Sequence, residues 1–175
     1  MNNFIEITAQ EFSGRPFHIL EKEWTLITTQ DDKKANAMTA SWGGFGVLWA
    51  KPVLFTFVRP QRYTHLLLER METYSVAVLD ETHRQSLELC GTKSGRDTDK
   101  ITQCGFSIAY SGGTPYLEQA HTVFICRKIA KYPLEPAGFI DPAIDAQIYP
   151  EQDYHDLYIG EVIKILAKKT DERGR

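Results

Sequence analysis

Two short stretches gather side chains that hold anions. The first is Arg59-Pro60-Gln61-Arg62-Tyr63-Thr64, where an apolar, strand-like run hands over to a helical period. A helix N-terminus offers unpaired N–H groups and the positive end of its dipole, which suits a phosphate. Arginine adds a planar, bidentate donor and the Thr64 hydroxyl a short one. The competing reading is a solvated turn in which Thr64 caps the helix. The second stretch runs from Gly91 to Lys100, Gly-Thr-Lys-Ser-Gly-Arg-Asp-Thr-Asp-Lys. A glycine-bearing turn with Lys93, Ser94, Gly95 and Arg96 can present backbone N–H groups as an anion nest. Asp97 then fits as the N-cap of a following helix. A charged surface loop accounts for the same residues equally well. The turn is not a Walker loop, because Thr92 precedes Lys93 and the earlier glycine is missing. The sequence contains no GxGxxG, so a Rossmann-type dinucleotide site is excluded.

A third stretch, Asn36 to Gly46, carries no reactive group. It mixes small residues, hydroxyls and aromatics, and closes with Gly43, Gly44 and Gly46. Small side chains let a flat object reach the backbone; they equally let one strand approach another. Set beside the two cationic turns, Met38, Thr39, Ala40, Ser41 and Trp42 read as a wall for a planar ring. A ring carrying a terminal phosphate is the shape of flavin mononucleotide, FMN. Trp42, Phe45 and Trp49 fit either ring stacking or an interface between two copies of the chain. His155, between Asp153 and Asp156, reads either as a contact to a nicotinamide or substrate or as a partly exposed histidine in a turn.

The elements that position these stretches follow from hydrophobic period. Residues 17–29 turn strand-like late, with Trp24, Leu26 and Thr28 on one face and Thr25, Ile27 and Thr29 on the other. Gln30 to Lys34 reads as a hairpin link, so the Asn36 stretch returns antiparallel to that strand. Val53 to Val58 is apolar on nearly both faces and belongs inside a sheet; it stops at Arg59-Pro60. Residues 62–72 have a helical face of Tyr63, Leu66, Leu67, Arg70 and Met71. Tyr74 to Leu79 is a strand, His83 to Cys90 a helix closed by Gly91, and Thr98 to Cys104 a brief helix ended by Gly105. Residues 117–131 and 156–168 are long strands. Between them, Pro133, Pro136, Pro142 and Pro150 mark an ordered loop lying over the barrel or a partner. The tail from Lys168 to Arg175 is expected to fray.

The sum is one mostly β domain over 1–175, a β-barrel with short inserted helices. With 42% hydrophobic and 25% charged residues, the chain reads as a soluble globular protein. A net charge of -3 argues against a general nucleic-acid binder. No apolar run approaches the roughly 18 residues of a membrane span, and no basic-then-apolar leader opens the sequence. Cys90, Cys104 and Cys126 form no CxxC and read as free thiols in a reducing cytoplasm. The five histidines form no HExxH, so no metal site is expected.

The segments Asn36 to Gly44, Arg59 to Thr64, Cys90 to Lys100 and Asp153 to Glu161, in that order, resemble the flavin reductase-like family, the FMN-binding split β-barrel group that includes flavoredoxin. The resemblance implies an antiparallel split barrel of Greek-key type, one FMN per subunit and a homodimer. It implies that Thr39 to Trp42 line the isoalloxazine, and that Arg59, Gln61, Arg62, Tyr63 and Thr64 face Lys93, Ser94, Gly95, Arg96 and Lys100 across the phosphate. The expected function is electron transfer from NADH or NADPH through FMN to a flavin or a redox protein. The alternatives are a flavoredoxin-like carrier without its own nicotinamide site and a non-catalytic FMN-binding dimer. The flavin does the redox chemistry in such proteins, so the missing Ser/His/Asp and Cys/His patterns are no objection.

Overall fold

The computed structural model of this chain describes residues 3–32 and 34–169. The elements in order are β1 (Phe4–Ile7), α1 (Pro16–His18) running into a π-helical turn at Ile19–Glu23, β2 (Thr25–Gln30), β3 (Ala35–Ala40), β4 (Gly43–Leu48), β5 (Lys51–Val58), α2 (Tyr63–Arg70) and β6 (Thr73–Val78). They continue with α3 (Arg84–Thr92), α4 (Lys100–Gln103), β7 (Ile108–Ser111), β8 (Thr114–Leu117), β9 (Thr122–Pro133), α5 (Pro142–Ile148) and β10 (Asp156–Lys168).

One sheet runs β3-β2-β6-β9-β10-β5-β4, with β1 added on β10. Its pairings are antiparallel throughout. The two ends of this path, β3 and β4, are consecutive in the chain and joined only by Ser41 and Trp42. The sheet must therefore curl until its ends nearly meet, giving a barrel split between β3 and β4. Register shifts in the β9–β10 pair, at Ile159/Gly160 and Val162/Lys164, supply local bending of the kind closure needs.

Alternation along the strands divides the core in two. Ile27, Val76, Val78, Phe124, Cys126 and Tyr158 point into the barrel. Their neighbours Leu26, Ala77, Leu79, Val123 and Ile125 point out, beneath Leu87 and Cys90 of α3 and Tyr116 and Leu117 of β8. Both faces of β2 are consequently buried, which is why its sequence shows no polar side.

Several sequence expectations change. The 17–29 run is helical up to Glu23, and Trp24, at φ 66°, precedes β2 rather than joining it. The face of α2 that is buried is Thr64, Leu67 and Leu68, one residue round from the expected stripe, and it packs on β2 and β3, leaving Leu66 exposed. Gly91 does not stop α3, which continues to Thr92. The cap of α4 is Asp99, whose side chain accepts from the Thr102 N–H, not Asp97. The strand expected over 117–131 is β9, which starts only at Thr122; before it β8 pairs with β7 in a hairpin that hydrophobic period alone does not show. The proline-punctuated loop contains α5, with Asp141 capping and Pro142 in its first turn. Of the tail, Lys168 ends β10 and the Lys169 N–H donates to the Asn3 carbonyl at 2.9 Å; the rest of it lies outside the described residues.

Candidate functional site

The split in the barrel is where the chemistry-bearing residues meet. β3 has a sheet neighbour on one side only, so part of its backbone is left open at the split. Met38, Thr39 and Ala40, with the link Ser41–Trp42, form one wall of a cavity of about 280 Å³. The Thr39 hydroxyl is already committed, donating to the Leu87 carbonyl of α3 at 2.5 Å. Phe57 of β5, Arg59 and His155 stand on the other walls. This cavity is lined mainly by rings, small side chains and backbone.

The glycines of the Asn36–Gly46 stretch do something else. A Cβ on Gly43 would lie 2.6 Å from the backbone carbonyl of Phe55, and one on Gly46 would press on the Phe55 ring at 3.3 Å. These glycines let β4 lie against β5, so close strand approach explains them, while Met38 to Trp42 line the cavity.

A second cavity, of about 300 Å³, lies between the start of α2 and the turn after α3. Gln61, Arg62, Tyr63 and Thr64 line one side; Lys93, Ser94, Gly95, Arg96 and Lys100 line the other. Four cationic side chains here face one carboxylate, Asp97. No side chain caps α2, so Thr64 is not the cap. Its buried hydroxyl accepts from Asn36 Nδ2 at 2.8 Å instead. Gly95 is forced by the same contact: a Cβ there would fall 2.0 Å from Asn36 Oδ1 and 2.9 Å from the Tyr63 ring.

Arg62 lines both cavities. Its Nη2 donates to the carbonyls of Gly91 at 2.8 Å and Cys90 at 3.4 Å. Lys100 Nζ donates to the same Cys90 carbonyl at 3.2 Å. Both cations are thus held at the negative C-terminal end of the α3 dipole, a placement that offsets part of their burial. Burial still pushes the Lys100 ammonium down to about 8, with the nearby Arg62 charge acting in the same direction. Burial also lowers Arg62 from its ordinary value. Arg96 donates to the Gln61 carbonyl at 3.1 Å and stacks over Tyr63, whose hydroxyl donates to Asp31 at 2.9 Å. These bonds tie the two turns to each other and to the β2–β3 link.

Arg59 is placed differently from expectation. It lines the first cavity, not the second. Asp153 binds it in an ion pair and also accepts from Gln61 Nε2. Arg59 further donates to the Ile148 carbonyl at 3.1 Å and lies 5.2 Å from the Tyr149 ring. His155 is only 9% exposed, which removes the reading of a partly exposed histidine in a turn. Its ring is 5.2 Å from Trp42, and Nδ1 is 2.8 Å from the Tyr149 hydroxyl. Burial, then the Arg59 charge, pushes it down to about 4, so it is neutral at pH 7. Sequence reasoning missed Phe57, Tyr149 and the clamp role of Asp153. Asp153 was within reach, two residues before His155. Tyr149 carried no signal; it caps the C-terminal end of α5 and meets the cavity only through its bond to His155.

A family profile described as "Flavin reductase like domain" matches residues 18–174. The chain belongs to that family. No curated protein sequence matches it significantly. Among solved structures, the flavin reductase-like domain is similar to an FMN-binding domain of a flavin reductases-like enzyme from Shewanella baltica OS155. The TM-score is 0.69 at 19% identity, covering 95% of this chain and 78% of that one. It is also similar to flavoredoxin from Methanosarcina acetivorans, with TM-score 0.65 and 22% identity over 97% and 76% of the two chains. A third is an FMN-binding protein from Thermus thermophilus with bound 1-cyclohex-2-enone, with TM-score 0.66 and 22% identity over 97% and 84%. At these identities the likeness establishes the split-barrel fold of the flavin reductase-like domain. Among its described residues no helix is long and apolar enough to cross a membrane.

Proposed function

We propose that the domain binds FMN across the two cavities, ring in the first and phosphate in the second, and acts as an oxidoreductase. Its electrons would come from NADH or NADPH and pass to a flavin or a protein acceptor. The observation that carries this reading is the pair of adjoining cavities of different character, one lined mainly by rings, small side chains and backbone, one strongly cationic, with Arg62 bordering both. A phosphate dianion loses its hydration when buried, and charge-assisted hydrogen bonds from arginine, lysine and hydroxyls offset that loss. The donor set fits the group. Arg62, Lys93, Ser94, Arg96 and Lys100 would hold the phosphate, with Gln61, Tyr63, Thr64 and Gly95 shaping its pocket. Met38 to Trp42 would lie along the ring, contributing backbone groups of the open edge of β3.

Bound there, FMN supplies the redox chemistry, and the chain supplies position, charge and exclusion of water. Trp42 and Phe57 line the first cavity with aromatic rings. Arg59 is compensated by Asp153, so it adds a donor without adding net charge. His155 is a neutral side chain facing the remaining space. Support for the oxidoreductase activity is family membership together with this geometry.

Replacing Arg62 and Arg96 together by alanine is expected to weaken FMN binding by two orders of magnitude or more, at roughly 1.5–3 kcal/mol per charged hydrogen bond; unchanged affinity in a fluorescence titration refutes the phosphate assignment. Anaerobic mixing of the FMN-loaded protein with NADH and NADPH tests the donor. Bleaching of the flavin absorbance within seconds supports a reductase. Bleaching only after a partner reductase is added points to a flavoredoxin-like carrier instead, and FMN bound without turnover by any donor to a non-catalytic dimer.

A further inference from the structure

We propose that Tyr149 is a positioning residue of the first cavity: its hydroxyl donates to Nδ1 of His155, holds that ring as the neutral Nε2–H tautomer, and so points an N–H donor at an uncharged oxygen of whatever binds beside the flavin ring. The ligand's place rests on the proposed function; the tautomer does not.

The geometry starts from the 2.8 Å contact between the Tyr149 hydroxyl and His155 Nδ1. Both residues are buried, Tyr149 at 5% and His155 at 9% exposure. A neutral imidazole carries one proton on either nitrogen. Were it on Nδ1, the Tyr149 oxygen would have to accept, and the phenol proton would then point into a packed interior. Among the described residues the hydroxyl has no second partner. With the proton on Nε2, the phenol donates and Nδ1 accepts, satisfying both. Burial raises the Tyr149 phenol above its ordinary value, so it keeps its proton.

The groups around His155 leave Nε2 for a ligand. Trp42 and Phe57 present rings at 5.2 and 6.5 Å and no acceptor. Arg59 is a donor only. Asp153 accepts from Arg59 and Gln61 through one oxygen, while its other oxygen is buried without a partner, so neither bonds His155. Among the described residues Nε2 has no hydrogen-bond partner, and His155 lines the cavity. Arg59 is paired with Asp153, and Arg62, at the border with the second cavity, is held by the Cys90 and Gly91 carbonyls, so beside His155 the free donor is a neutral N–H. A ring carbonyl or a carboxamide oxygen is the acceptor it suits.

The test reads the tautomer directly. Long-range ¹H–¹⁵N spectra of labelled FMN-loaded protein at pH 7 should show His155 with Nε2 protonated and Nδ1 bare, and no change of state until the pH nears 4. The signal is assigned by its loss in His155→Asn. An Nδ1–H ring or an even mixture overturns the proposal. Tyr149→Phe keeps the aromatic packing on Phe139 and Tyr154 and should bring in the Nδ1–H form. It should also raise the KM for the nicotinamide donor about three- to tenfold, with FMN affinity unchanged; an unchanged tautomer or an unchanged KM overturns the positioning role. Should that variant not fold, the unmutated protein's spectrum still decides the tautomer. Failure of NADH and NADPH to bleach the flavin would sink the donor half of the proposed function without touching the NMR result.

Discussion

Arg62 and Lys100 are two cations anchored on the last carbonyls of one helix, and that placement makes anion binding sensitive to pH. Lys100 sits at about 8 because it is buried beside Arg62, whereas in an unfolded chain it titrates near 10.4. Between those values the unfolded chain holds a proton that the folded one has released. Stability of the FMN-free protein should therefore rise as pH increases from about 8 toward 10. A bound phosphate dianion favours the protonated lysine and raises its value, so binding takes up a proton near pH 8. FMN affinity should be highest below pH 8 and fall above it, as a fluorescence titration at successive pH values would show. In Lys100→Met the slope should vanish and affinity drop about tenfold or more, the worth of one charged hydrogen bond. A slope that survives the substitution assigns the proton elsewhere.

At the scale of elements, the site depends on close contacts that only small residues permit. β4 lies on β5 because Gly43 has no Cβ to meet the Phe55 carbonyl at 2.6 Å. That carbonyl is backbone within a strand and cannot step aside. Gly43→Ala should cost about 1–3 kcal/mol, read as a lower midpoint in urea unfolding; a midpoint equal to the parent protein would mean the pair can separate freely. The α3 helix also meets β3, but without needing a glycine. Gly91, inside its last turn, puts the Thr39 side chain at ordinary contact distance, 3.5 Å from where a Cβ would be. This brings the carbonyls that hold Arg62 and Lys100 beside β3.

At the scale of the whole molecule, the split leaves β4 as the far end of the sheet path with apolar residues in solvent. Val47 is 76% and Trp49 56% exposed, and both belong to the β4–β5 hairpin. Trp49 and Ala50 form its two-residue turn with positive φ at each, which projects the indole outward. An exposed apolar edge strand invites pairing. We propose that this edge contributes to a homodimer. Light scattering on a sizing column should give twice the 20.0 kDa chain mass, and Val47→Glu with Trp49→Glu should shift it toward the monomer. A parent protein that elutes as a monomer removes the dimer.

Much of this protein was legible from local pattern. The strands 53–58, 74–79 and 156–168 were found because period-2 and continuous apolar runs report burial directly. The two cationic turns stand out by their charge and glycine, but the sequence left each open to reading as a solvated surface turn. What the sequence could not settle was which residues share a space. Arg59 and Arg62 are three apart, yet Asp153 draws one into the ring cavity while the carbonyls of Cys90 and Gly91 hold the other at the border. The glycines and small residues of 36–46 looked like one feature and proved to be two, because the chain leaves one end of the sheet at Ala40 and enters the other at Gly43. Tyr149 and His155 are six residues apart, yet nothing in their spacing showed that the hydroxyl would reach Nδ1. Periodicity and residue chemistry act over a few residues and are written in the chain. The partners of these buried charges are chosen by contacts between residues 28 and 94 positions apart, and those exist only once the barrel has closed.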